Sequence, residues 1–261
     1  MVLSVLLAQI CFANGTTNLS ALVSSDIDDF SLAQINSLKN QINSLDNKSY
    51  NDFLASLVAK ADDYELLQNN LKLLGVELVN FKVKNVSNTN NEFVLMSSPN
   101  NASIITYANK RHGDSYYRLY AQYNLTYREW YAGSQDVILM YFNNNMANYY
   151  SYNCESNYTT LRSGQYATSG TLAFNFSDAA AGTNTSYAVT YVTPKSGTQG
   201  QWLDFGADWV HTYLEEDTQS SFSTSLNFGG TGGVTGSIGC TVTVSTNQYD
   251  WSLADTNAVQ F

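Results

Sequence analysis

Residues 136–142 read DVILMYF, one carboxylate followed by six apolar residues in succession. A run this short and this apolar is a strand buried on both faces, at the centre of a sheet. Upstream of it, residues 116–131 alternate with a period of two. Tyr117, Leu119, Ala121, Tyr123 and Leu125 share one face. Downstream, further strands are predicted over 172–176, 187–192, 202–213, 222–228 and 234–244. Gly, Ser, Thr and Asn punctuate them at the spacing of a β-sandwich. With only 2 prolines in the chain, the turns depend on Gly and Asn. The polar turn Asn143 to Asn145 is one of them.

The pattern changes towards the N-terminus, where the period is 3.6. A helix is expected over 26–45, with Ile27, Phe30, Ile35, Leu38, Ile42 and Leu45 on one face and Ser24 or Ser25 as its N-cap. A second helix is expected from the cap Ser49, burying Phe53, Leu54, Leu57, Val58 and Ala61, with Asp52 completing a capping-box arrangement. A third runs over 63–74 and stops at Gly75, a residue suited to a left-handed C′ position. Short strands over 79–83, 92–96 and 103–108 follow. The fold class is therefore α+β. A small helical or α+β module over 25–110 precedes an all-β antiparallel sandwich over 111–261.

Residues 1–13, MVLSVLLAQICFA, read as a signal peptide, and residues 14–24 as a linker. The apolar stretch is shorter than the about 20 residues that span a bilayer as a helix. Removing it takes Cys11 away and leaves Cys154 and Cys240, an even number suited to a disulfide in an oxidising compartment. Such a bond would close a long loop and be worth about 4–5 kcal/mol in the chain-entropy account. Composition agrees with export to the medium or the cell surface. Charged residues make up only 13% of the chain, and neutral polar residues take their place. Sequons at Asn14, Asn18, Asn47, Asn85, Asn101, Asn124, Asn157, Asn175 and Asn184 permit N-glycosylation.

The formal net charge of −10, with no basic stripe, sets the chain against nucleic acid and against anionic lipid. No segment is apolar enough for a transmembrane helix. No cofactor signature is present. The run Gly229 to Gly233 lacks the Lys-Ser/Thr ending of a phosphate loop and reads as a hairpin turn.

Three sets of residues offer chemistry. Asp204, Asp208, His211 and Glu215 gather carboxylates around a histidine, the material of an acid/base pair or a metal site. On a continuous strand, however, Asp208 and His211 point to opposite faces. The second set is aromatic: of 19 Tyr and 4 Trp, Tyr149, Tyr150, Tyr152, Tyr158 and Trp130 are the candidates for binding. Consecutive tyrosines cannot all face one core, so some of this group is free to stack on a sugar or anchor a partner. The third is the hairpin over 219–245. Its apolar face opposite a Ser/Thr face is the pattern of a membrane-inserting stem, but the expectation is a core hairpin, since a disulfide through mid-strand Cys240 would block release. His112 and Asp114 read as a linker turn.

The leading expectation is an exported, non-catalytic protein that binds glycan or protein through aromatic loops, without metal or cofactor. A secreted hydrolase using the carboxylate/histidine set and a β-pore former are the alternatives.

Overall fold

The computed structural model describes residues 30–79, 101–126, 135–213 and 249–261, with Leu22, Val23 and Ile27 before them. Residues 1–13, expected to be a signal peptide, lie outside the described residues, as do Trp130, Glu215, Cys240 and the segment 219–245 expected to form a hairpin. The chain forms two compact units, residues 1–78 and 79–261.

The first unit holds α1 (Leu32–Ser44), α2 (Asn47–Lys60) and α3 (Tyr64–Leu73), and strand β1 (Val76–Val79) begins at its end. Most of the apolar positions read from the sequence are buried: Leu38 and Ile42, then Phe53, Leu54, Leu57 and Val58, then Leu67 and Leu71, while Phe30, Ile35 and Leu45 are only partly so. The helix starts differ from expectation. Ser31, not Ser24 or Ser25, caps α1, and Asp46, not Ser49, caps α2. Each is the nearest residue whose oxygen reaches the third backbone N–H. Asp46 accepts from the Ser49 N–H at 2.7 Å, so Ser49 supplies the donor of the cap. At α1 the Gln34 N–H donates to Ser31 Oγ at 3.3 Å, and the Ser31 N–H donates to Gln34 Oε1 at 2.8 Å. Both bonds use donors a helix start would otherwise leave unpaired. Ser31→Ala should therefore cost the first unit about 1 kcal/mol, read as a lower denaturant midpoint in helical circular dichroism of the full chain. A change under a few tenths would mean that solvent replaces the cap freely. Buried Asn70 pins the segment before α1: the Ile27 N–H donates to its Oδ1 and its Nδ2 donates to the Leu22 carbonyl, both at 3.0 Å.

The second unit is a sandwich of antiparallel sheets. One sheet contains, in order, β2 (Ala102–Arg111), β3 (Tyr117–Leu125), β8 (Ser186–Pro194) and β5 (Ala147–Cys154). The other runs β10 (Tyr249–Gln260), β9 (Trp202–Tyr213), β4 (Asp136–Phe142), β7 (Thr171–Phe176) and β6 (Thr159–Ser163). The run 136–142 is a central strand, buried at every position and flanked by β7 and β9. The dividing line falls before residue 79, not at 110, because β2 pairs with β3 from Ala102 to Asn109 and so belongs to the sandwich. The His112 to Asp114 segment is accordingly the β2–β3 hairpin turn. Gly113 there has φ +91°, a value that favours glycine.

The core lies between the sheets. Leu119, Ala121 and Tyr123 of β3 meet Ile138, Phe142, Phe174, Phe205 and Trp209 from the opposite sheet. A chain of buried hydroxyls, Tyr123 to Thr159 at 2.8 Å and Thr159 to Ser186 at 2.7 Å, crosses the interior from β3 through β6 to β8. At one flank, β10 is joined to β2 by side chains. Asp255 accepts from the Thr106 N–H at 2.7 Å, and Asn257 Nδ2 donates to the Thr106 carbonyl at 2.9 Å. Two polar positions in a strand that otherwise alternates apolar inward thus satisfy backbone groups.

Candidate functional site

Strand β9 separates the carboxylate/histidine set. Leu203, Phe205, Ala207 and Trp209 are in the core, so Asp204 and Asp208 lie on the outer face and His211 on the inner one. The three do not form one site, and Glu215 lies outside the described residues. Asp208 is half-buried between its register neighbours, buried Leu139 on β4 and exposed Ala254 on β10. Burial pushes its carboxyl up to about 6, and pushes Asp204 up as well. The Tyr141 ring lies against Gly206, where a Cβ would meet the phenol oxygen at 2.5 Å. Burial, then Asp208 and Asp255, raise the Tyr141 phenol.

His211 has other partners. Its Nδ1 lies 2.8 Å from Asp136 Oδ2 and 3.6 Å from Asp178 Oδ2. Asp136 also accepts from Trp209 Nε1–H at 2.7 Å and from the Thr212 N–H at 3.0 Å. Asp178 opens the short helix α4 (Asp178–Ala181), and its Oδ1 accepts from the Ala179 N–H at 2.8 Å. All three side chains are buried. Burial raises the Asp136 carboxyl, and His211, Thr212 and Trp209 pull against that rise. Trp251, opposite His211 in the β9–β10 register, packs its ring 4.5 Å from the imidazole. Sequence reasoning passed over Asp136 and Asp178. One signal for Asp136 was available: it shares inward parity with Ile138, Met140 and Phe142, an unusual place for a charge without partners.

The tyrosines do not gather in one loop. The segment from Tyr149 to Cys154 is edge strand β5, and its register with β8 slips between Tyr149 and Ser151. That bulge turns Tyr150 to the outer face, where it is 59% exposed. Its ring stacks on Tyr116 at 5.2 Å and 15°, and Tyr116 stacks in turn on Tyr191 at 5.1 Å and 26°. The fully buried Arg118 braces the stack. Its guanidinium lies 4.9 Å from the Tyr116 ring and 5.5 Å from the Tyr191 ring. Its Nη1 donates to Asp114 at 2.6 Å, which fixes the cation. Tyr152 points the other way, edge-on to core Phe174 at 6.0 Å. Tyr149 and Tyr158 are partly buried against the core. Among the described residues of this unit, Trp202 and Tyr166, 52% and 49% exposed, and Tyr152, 39% exposed, are the other large exposed aromatics. Cys154 is half-buried, and its thiol donates to the Thr159 carbonyl at 3.4 Å.

No protein family matches the chain, and no curated protein does. Solved structures give partial, weak likenesses. The sixth cohesin of Acetivibrio cellulolyticus scaffoldin B, solved with a Cel5 dockerin mutant, is 13% identical with a TM-score of 0.26, over 35% of this chain and 74% of that one. The seventh ScaB type I cohesin of Pseudobacteroides cellulosolvens gives 12% and 0.28, over 37% and 70%. A structure concerning Streptococcus parasanguinis adhesion by Fap1 fimbriae gives 12% and 0.26, over 55% and 74%. Values this low carry no argument about function.

The chemistry of the second unit falls in three places. A braced aromatic plate faces outward on β5. A sealed oxygen–nitrogen–oxygen cluster sits inside the sandwich. A half-buried carboxylate lies beside a phenol on the far face.

Proposed function

We propose that this chain is an exported, surface-associated binding protein that recognises glycan through the outer face of its sandwich. The observation that carries the reading is Tyr150, exposed on one side and stacked on Tyr116 and Tyr191 on the other. A plate already held in place loses little side-chain freedom when a ligand stacks on it. The apolar face of a sugar ring, or the side chain of a protein partner, fits such a surface. Charge composition supports the same reading, since a net charge of −10 disfavours nucleic acid and anionic membranes. Asp204 and Asp208 lie across the sheet from His211, so these three residues do not assemble as the hydrolase alternative expects.

The test is a glycan array and a cell-wall pull-down with the secreted protein, with an unrelated β protein as control. We expect retention of a defined glycan class, with Tyr150→Ala weakening it about tenfold, or about 1.4 kcal/mol, and Tyr150→Phe binding nearly as well. The reading fails if the wild-type protein is retained no better than the control, or if Tyr150→Ala binds unchanged. Thermal unfolding of each variant separates lost contact from lost fold.

A further inference from the structure

The cluster at the β4–β9 end of the sandwich is independent of the aromatic plate. We propose that Asp136, Asp178 and His211 form a structural site for one divalent transition-metal ion of the zinc class. Three elements supply the donors: β4, the helix α4 and β9. Each offers one ligand atom, and the three atoms all lie within 4.8 Å of one another. The Nδ1 of His211 sits 2.8 Å from one carboxylate oxygen and 3.6 Å from the other. Ligand atoms held at about 2.0–2.2 Å from a single zinc-class ion lie about 3–3.6 Å apart, so small shifts of the side chains admit the ion.

Charge gives a second reason. The cluster places two carboxyl groups and an imidazole together in the core, a donor set whose negative charge suits a divalent cation. A divalent cation bound at Nδ1, with the ring's proton on Nε2 so that the imidazole stays neutral, balances two carboxylates. The surroundings hold the donors as ligand shells are held. Trp209 Nε1–H and the Thr212 N–H orient Asp136, and the Ala179 N–H orients Asp178. Trp251 and Trp209 flank the imidazole at 4.5 Å and 6.2 Å. One nitrogen and two carboxylates match zinc-class ions. Calcium requires six to eight oxygens, and magnesium keeps several waters.

The side chains are sealed, so loading is tested through folding. The full chain is unfolded in urea with chelator and refolded with Zn²⁺ or without. The refolded monomer is then assayed for bound metal after gel filtration and for its thermal midpoint. We expect one zinc per chain and a midpoint several degrees above that of the chelated protein. Asp178→Asn preserves shape and removes one ligand charge. It should fold in chelator with a midpoint near the wild type's, lose the stoichiometric zinc and lose the zinc-dependent shift. His112→Ala, at an exposed turn outside the cluster, should retain both. Three results would overturn the proposal: sub-stoichiometric zinc with no shift in the wild type, Asp178→Asn binding zinc like the wild type, or His112→Ala abolishing it. None of these bears on whether Tyr150 binds glycan, so the two readings fail separately.

Discussion

Asp136→Ala should destabilise the sandwich by roughly 3–5 kcal/mol, measured by chemical denaturation in chelator-containing buffer. The residue is fully buried, and its two oxygens accept from three donors: the Trp209 indole, the His211 ring and the Thr212 backbone. Truncation strands all three inside a core, where each unmet donor costs about 1–3 kcal/mol less whatever water enters to serve it. Asp136→Asn should fall between alanine and wild type. Its amide oxygen still accepts, but its NH₂ faces a donor. Trp209 fluorescence should follow the same transition, since its ring touches the cluster and the core together. A loss under about 1 kcal/mol for Asp136→Ala would mean that the carboxylate does not anchor β9 to β4.

That anchor marks the limit of what the sequence makes legible. Strands β4 and β9 can be read to their ends, because unbroken or alternating apolar residues record burial directly. Helix faces are equally plain, while helix starts are not. Several serines and aspartates compete for each cap, and the choice depends on which oxygen reaches the third N–H. Strand β5 escapes because it is an edge. Its exposed tyrosines imitate a loop, and the bulge that turns Tyr150 outward breaks the period. Strand β10 escapes because Asp255 and Asn257 occupy inward positions to bond Thr106 of β2, a partner about 150 residues away. The buried cluster is hidden for the same reason. Asp136 meets His211 across 75 positions, and no local spacing records that meeting. His211 was visible as a histidine among carboxylates, but the neighbours along its own strand face the other way.

Asp208→Asn should stabilise the second unit by about 1–3 kcal/mol at pH 7 and by almost nothing below pH 4. The carboxyl of Asp208 lies half-buried between Leu139 and Ala254, and burial raises it from 3.8 to about 6. A folded state that holds its proton more tightly than the unfolded chain is favoured by acid. The cost of the charge is therefore absent below the unfolded value near 4, grows as pH rises to about 6, and is complete above it. The full interval is worth at most about 3 kcal/mol, and the carboxylate's remaining contact with water reduces it. Asparagine keeps the shape and never ionises, so the gap between variant and wild type should open across this window. Denaturation of both proteins at pH 7 and at pH 4 measures the gap with every other titrating group held in common. An unchanged gap at the two pH values, or a variant weaker than wild type at pH 7, would sink the expectation. A carboxylate retained at such a cost beside the Tyr141 phenol is what a binding surface keeps when its stability could be higher without it. If the glycan array yields a ligand, loss of its binding in Asp208→Asn would extend the recognition surface to the outer face of β9.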